Sequence, residues 1–168
     1  MESFVKNILI IIIALLFSCK STYKSADQIW EEGQQYRMEN NFKDAISNFK
    51  TIIAIYPNHE YSAKAQFQIA DIYLNDIKNY DYAIKEFNTV VKYYTDHDVA
   101  KKSLFMIAYI YNNYINAYSD AIIHYNLFKE KYPNDELIPS VEYELNGLKN
   151  IQSQIDSLNS LVKEKSNI

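Results

Sequence analysis

Residues 63–94 read AKAQFQIADIYLNDIKNYDYAIKEFNTVVKYY, and the chain on both sides of this stretch repeats its pattern. Small and aromatic residues carry the repeat. Ala70, Tyr73, Ala83 and Phe87 recur 38 residues later as Ala108, Tyr111, Ala121 and Tyr125. In the other direction, the second half recurs 38 residues earlier at Ala45 and Phe49, whereas the first half recurs 37 residues earlier at Gly33 and Tyr36. Self-similarity at such a period indicates a solenoid of stacked helix pairs.

The order of residues within one repeat resembles a tetratricopeptide repeat. A small residue precedes a tyrosine by three positions, an alanine then precedes an aromatic residue by four, and a polar turn follows. The turns are Tyr56-Pro57-Asn58, Tyr94-Thr95-Asp96 and Tyr132-Pro133-Asn134. The resemblance implies an all-α fold, a right-handed helical solenoid of three helix pairs plus a long C-terminal capping helix. We expect the repeats to occupy residues 26–136 and the capping helix and tail to occupy residues 137–168.

Each repeat position has a packing reason. The small residues at Gly33, Ala70 and Ala108 are needed where the two helices of a pair cross closely. The aromatic residues Phe49, Phe87 and Tyr125 should face the next repeat. A single helix pair leaves one apolar side open, so we expect the pairs to stack and the stack to end in a cap.

The first residues have the pattern of an export signal. Lys6 supplies a positive charge, and the apolar run at Ile8–Phe17 is half as long as a membrane span requires. The following Leu16-Phe17-Ser18-Cys19 resembles a bacterial lipobox. We therefore predict a lipoprotein signal peptide at residues 1–18, which is removed. A lipidated cysteine and a short tether should follow at residues 19–25.

The resemblance to a lipobox implies that the thiol of Cys19 carries diacylglycerol and attaches the protein to a membrane. The next residue, Lys20, favours the outer membrane by resemblance to the sorting rule of enteric bacteria, with the protein facing the periplasm. The alternative is an ordinary secretory signal with an incidental cysteine. Cys19 is the only cysteine of the chain, so no disulfide framework competes for it.

Composition and motifs argue against several classes of function. A formal net charge of −4 and a pI near 5.4 offer no basic face to nucleic acid. The sequence contains no Gly-rich phosphate loop, HExxH motif or nucleophile elbow. We therefore predict that the protein is not an enzyme and that it uses no cofactor.

The histidines have a metal-binding and a structural interpretation. His59 and His97 occupy the same turn of successive repeats, each beside an acidic residue. Equivalent positions of a solenoid lie a repeat apart, so these side chains should not converge on one ion. Helix capping explains them better, and His124 has no obvious ligand partner nearby. We expect no metal site.

The inner, concave face of a tetratricopeptide array is lined by set positions of the first helix in each pair. Counted from Ala26, Ala63 and Lys101, the fifth position is aromatic at Trp30, Phe67 and Phe105, and Tyr143 is its equivalent in the capping helix. Aromatic and carboxamide side chains suit an extended peptide or a protein partner laid along this groove. The alternative is that the aromatic stripe belongs to the core between repeats. The candidate partner-binding residues are Trp30, Gln34, Arg37, Phe67, Asp71, Asn75, Phe105, Tyr109, Asn112 and Asn113.

The last part of the chain predicts one long helix, at about residues 140–163. Val141, Leu148, Ile155 and Val162 recur every seven residues, with Ile151 and Leu158 between them. The first half should cap the solenoid. The second half presents an apolar seam through which the protein could form an oligomer. A frayed capping helix without a partner is the alternative.

These features together resemble the BamD and CpoB group of outer-membrane tetratricopeptide-repeat proteins. The spacing Tyr-Pro-x-His/Ser-x-Tyr-x-x-x-Ala, here from Tyr56 to Ala65, is shared with that group. The resemblance implies a membrane-anchored scaffold for protein–protein interaction in the cell envelope, as in BamD-like assembly of outer-membrane proteins. The alternative is an adaptor for another envelope machine, in peptidoglycan synthesis, the Tol-Pal system or secretion, which assembles through its C-terminal helix.

Overall fold

The computed structural model describes residues 23–166, with side chains as far as residue 163. The predicted signal peptide, Cys19 and residues 20–22 of the tether lie outside the described residues. Seven α-helices follow one another within this range, and two of them continue into a π-helical turn. They are α1 (Ala26–Met38), α2 (Phe42–Ile55), α3 (Glu60–Asp71, with the π-helical turn Ile72–Asp76), α4 (Tyr80–Tyr93), α5 (Asp98–Ile110, with the π-helical turn Tyr111–Ile115), α6 (Tyr118–Lys131) and α7 (Ile138–Ser166).

The core consists of three clusters, and each joins one helix pair to the helix that follows it. The first contains residues of α1, α2 and α3, the second residues of α3, α4 and α5, and the third residues of α5, α6 and α7. Phe49, Phe87 and Tyr125 occupy the same place in successive clusters and are fully buried. The prediction of an all-α solenoid of tetratricopeptide type is therefore confirmed, because every boundary between repeats is a shared core.

Close helix crossing explains the small positions. A β-carbon added to Gly33 would lie 2.9 Å from Cε1 of Phe49, which is too close without movement of the ring. Ala45, Ala83 and Ala121, at the matching position of the second helices, have no exposed surface. Their substitution by larger residues would overpack the crossing.

The two π-helical turns explain why the first helix repeats after 37 residues in one direction and 38 in the other. In the first pair, the amide of Asn41 donates to the carbonyl of Tyr36, five residues back, at 2.8 Å. In the later pairs, Asn79 donates to Tyr73 at 2.8 Å and Ala117 to Tyr111 at 2.9 Å, six residues back. Each later helix has thus accommodated one inserted residue as a π-bulge.

The turn between the two helices of a pair adopts the same backbone conformation in all three pairs. Asn40, Lys78 and Asn116 are all left-handed, with φ values of 59°, 59° and 58°. The next residue caps the second helix in the first two pairs, where the side chains of Asn41 and Asn79 accept from the backbone amides of Asp44 and Tyr82. In the third pair, Ala117 occupies this position and has no side-chain oxygen to offer.

The turn between pairs uses the histidines as caps. Nδ1 of His59 accepts from the amide of Tyr61, and Nδ1 of His97 accepts from the amide of Val99, both at 3.2 Å. At the third turn a carboxylate of Asp135 accepts from the amide of Leu137 at 3.0 Å and from Nζ of Lys101 at 2.9 Å. The prediction that these histidines are structural is confirmed.

Helix α7 begins as a cap and continues beyond the solenoid. Val141, Leu145 and Leu148 are buried against α5 and α6. Every side chain from Gln152 to Lys163 is exposed, whatever its polarity. The predicted long C-terminal helix is thus present, and its two halves have different surroundings.

Candidate partner-binding face

The aromatic residues at the fifth position of the first helices lie at the edge of the core. Trp30, Phe67 and Phe105 are each partly exposed. Their rings contact the buried aromatic residue of the second helix, with centroid distances of 5.3 Å to Phe49, 5.3 Å to Phe87 and 5.8 Å to Tyr125, respectively. Each ring therefore packs on the core and is partly exposed, and its role in partner binding stays a prediction.

Arg37 connects the first two repeats. Its guanidinium donates to Asp71 at 2.6 Å, to Asp76 at 2.7 Å and to Gln68 at 2.6 Å. The side chains of the arginine and the two aspartates are only 20–25% exposed, so the charges are partly shielded from water. A planar fork of donors suits such a site because it satisfies several acceptors at once. Arg37 and Asp71, predicted as partner-binding residues, thus already bind each other.

The contact between Arg37 and Gln68 has counterparts at equivalent positions of the later repeats. At two of the three boundaries, the residue at the twelfth position of one first helix is hydrogen-bonded to the sixth position of the next. Arg37 donates to Gln68 in this way, Leu74 lies in the core cluster that Met106 packs against, and Nδ2 of Asn112 donates to Glu144 at 2.7 Å. Asn112 is therefore engaged with the capping helix, and the sequence alone did not indicate its partner.

The remaining predicted residues stay more accessible. Asn75 and Asn113 are exposed, and each donates to its own helix, to the Asp71 carboxylate at 2.7 Å and to the Tyr109 carbonyl at 3.1 Å. Gln34 and Tyr109 are partly exposed. The ring of Tyr109 stacks on Phe105 with centroids 6.3 Å apart. Aromatic and carboxamide groups thus remain on this face beside the internally bonded residues.

A cleft of about 310 Å³ lies where the third pair meets the cap. Asn112 and Glu144 form its polar part, and Tyr143, Gly147 and Ile151 lie along α7. Tyr143 is 78% exposed, which is unusual for a large aromatic ring. Apart from its chain neighbours and its own helix backbone, no atom lies within 4 Å of a β-carbon placed on Gly147, so the helix backbone is uncovered there. The sequence signal for this cleft is Gly147, one of only two glycines in the chain and the only one in α7.

The hydroxyl of Tyr125 lies in the third core cluster, which α7 covers. Its oxygen is buried and finds no hydrogen-bond partner among the described side chains. Burial raises the pKa of this phenol strongly, and the nearby negative charge of Glu144 adds to the shift. The hydroxyl is therefore neutral at any physiological pH.

Two searches of the described residues address other classes of site. No group of three or more His, Cys, Asp or Glu side chains in this part of the chain is arranged to hold a metal ion. Among the helices from α1 to α7, none combines the length and the apolar character needed to cross a bilayer.

Comparison with known proteins gives two matches. Residues 13–95 match the family model YfiO, described as outer membrane lipoprotein. Residues 102–135 match a model described as tetratricopeptide repeat. No curated protein matches the chain. The chain thus resembles the tetratricopeptide-repeat lipoproteins of the BamD group, and repeats of this kind generally bind proteins.

Proposed function

We propose that this protein, a tetratricopeptide-repeat chain resembling outer-membrane lipoproteins, is a scaffold that binds a segment of another protein along its first helices. The proposed site runs from Trp30 and Phe67 past Phe105 and Tyr109 to the cleft beside Tyr143. The single observation that carries the proposal is this cleft, because an exposed tyrosine, a bare stretch of helix backbone and a carboxamide meet there.

The chemistry of the site suits a polypeptide ligand. Asn75, Asn113 and Gln34 present carboxamides, which both donate to and accept from a peptide backbone. The partly exposed rings of Phe105 and Tyr109 offer contact area at little cost in conformational entropy. Arg37 and Asp71 have a supporting role in this proposal, because their mutual ion pair holds the first two repeats in register.

The anchor belongs to the same proposal. A lipid on Cys19 would hold the scaffold at the periplasmic side of the outer membrane, and the match of residues 13–95 to a lipoprotein family supports this location. Cys19→Ser should release the protein from the membrane fraction. A variant that still floats with membranes at high salt would contradict lipid anchoring.

Assembly of outer-membrane proteins, as in BamD, is the function we favour within this class. The segment bound would then be an unfolded part of a barrel protein or of an assembly partner. The exposed apolar side of α7 favours a second candidate, an adaptor for another envelope machine that assembles through this helix.

The groove is tested by capture of partners from detergent-solubilised membranes. Tyr143→Ala and Tyr109→Ala should each reduce the amount captured by about tenfold or more, since aromatic anchors dominate interfaces. Tyr93→Ala is the matched control, because Tyr93 is 66% exposed but lies on the second helix of its pair. The melting temperature of all three variants should stay within two degrees or so of the parent protein. Equal loss of capture in the variants and the control would contradict the proposed site.

A further inference from the structure

The part of α7 beyond the solenoid carries an apolar stripe whose first residue, Ile151, is partly buried beside the cleft and whose other residues are exposed. We call Ile151, Ile155, Leu158 and Val162 the distal stripe. They follow each other at intervals of three and four residues, so they share one side of the helix. Leu158 and Val162 are 62% and 65% exposed. The stripe continues the seven-residue repeat of Val141 and Leu148, whose side chains are buried in the third core cluster.

Glu144 and Lys165 occupy the seven-residue positions at the two ends of the stripe, and the other charges of α7 lie away from it. Glu142, Lys149, Asp156 and Lys163 also recur every seven residues as a charged line, and their signs alternate. The residues that flank the distal stripe between its two ends are Gln152, Gln154, Asn159 and Leu161, all uncharged. Charged flanking residues normally select the partner of a helical seam. A seam with neutral flanks meets its own copy without repulsion between like charges.

We propose that the distal stripe pairs with the distal stripe of a second copy of this chain, in a two-fold symmetric contact. A symmetric dimer uses the same patch on both subunits, which a neutral and self-complementary stripe permits. A membrane surface fits the helix less well. The two acidic and two basic residues of the charged line cancel, whereas helices that lie on anionic lipid carry an excess of lysine and arginine.

The contact is small, and this sets its strength. The exposed segment of α7 has about three helical turns, so two copies bury on the order of 1,000 Å², at the lower end of specific interfaces. The dimer should therefore form reversibly at micromolar concentration. Attachment of both copies to one membrane surface would raise their local concentration and favour the pair.

The inference goes beyond partner binding in the groove and is tested separately. Sedimentation equilibrium of the full chain in mild detergent, at several protein concentrations, should show a reversible monomer–dimer equilibrium. Leu158→Glu should raise the dissociation constant about thirtyfold or more, because it places a charge in the centre of the stripe. Ser160→Glu adds the same charge two residues further along, outside the stripe, and should leave the equilibrium unchanged.

Three results would overturn the inference. The first is a monomeric mass at every concentration up to about 100 µM, well above the expected range. The second is equal weakening by Leu158→Glu and Ser160→Glu. The third is binding of the Cys19→Ser chain to lipid vesicles that Leu158→Glu abolishes, since a membrane would then occupy the stripe. Tyr143→Ala should keep the dimer while losing the captured partner, so failure of the groove and failure of the dimer are distinguishable.

Discussion

At the scale of single residues, the least expected feature is the hydroxyl of Tyr125. The matching positions of the first two repeats are Phe49 and Phe87, whose rings bring no polar atom into the core. A buried group without a hydrogen bond costs the free energy of its lost hydration. The core of the third repeat therefore contains an unpaired hydroxyl where the first two repeats have a phenylalanine ring.

Tyr125→Phe should raise the free energy of unfolding by about 1 kcal/mol, because it removes the unpaired hydroxyl and keeps the ring. Urea denaturation of the parent and the variant at the same pH would measure the difference. Phe87→Tyr is the reciprocal control and should destabilise the second repeat. Loss of stability in Tyr125→Phe would contradict the interpretation, since it would mean that a bound water satisfies the oxygen.

At the scale of helices and turns, local sequence determined most of what could be predicted. Proline and asparagine marked the turns, and Ser25 caps α1 in a capping box with Gln28. The equivalence of His59 and His97 indicated caps, and both are caps. These features could be predicted because each depends on residues within about five positions of each other.

The contacts between the first helices of neighbouring pairs could not be predicted from local sequence. Arg37 meets Gln68, Asp71 and Asp76, which are 31, 34 and 39 residues away. The repeat predicts which helices are neighbours, but the reach of a long side chain depends on the rotation between them. The π-bulge also moves Asp76 relative to its helix. A partner-binding role was therefore predicted for Arg37 and Asp71, whereas both take part in internal bonds.

Arg37→Ala tests the strength of this link. We expect a loss of about 1–3 kcal/mol in the free energy of unfolding, because Asp71 and Asp76 would remain as two partly buried carboxylates without their cation. Arg37→Lys should recover only part of the loss, since an ammonium cannot make the same forked contacts. The difference should shrink in 1 M salt, which screens the remaining repulsion.

Chemical denaturation at low and high salt would make the measurement. Lys85→Ala is a suitable control, because Lys85 is exposed on α4 and its charge lies over a tyrosine ring rather than in a carboxylate network. A loss for Arg37→Ala no larger than for this control would contradict a structural role. In that case the original partner-binding interpretation of Arg37 would regain support.

At the scale of the whole molecule, stability depends on neighbouring pairs, and each boundary needs the next element to cover it. The sequence predicted this arrangement from the fading of the repeat after Pro133 and the start of a seven-residue pattern. It did not decide how the aromatic stripe divides between core and surface. Trp30, Phe67 and Phe105 belong to both, because each ring contacts a buried aromatic residue and each residue is partly exposed.

The division of α7 into a cap and an overhang leads to a paired truncation experiment. A chain that ends after Asn150 keeps Val141, Leu145 and Leu148, which cover the third core cluster. It should melt at nearly the same temperature as the parent, because the described side chains that it lacks, from Gln152 to Lys163, are exposed and Ile151 is partly exposed. A chain that ends after Asp135 loses the whole helix and uncovers Leu104, Tyr125 and Phe128, which are otherwise buried. Three large apolar side chains exposed at an end of a solenoid should cost several kcal/mol and promote aggregation.

Thermal melts of both truncated chains would compare these costs. Equal melting temperatures for the two would contradict the capping role of α7, whereas a large loss in the longer one would mean that the overhang stabilises the fold of the single chain.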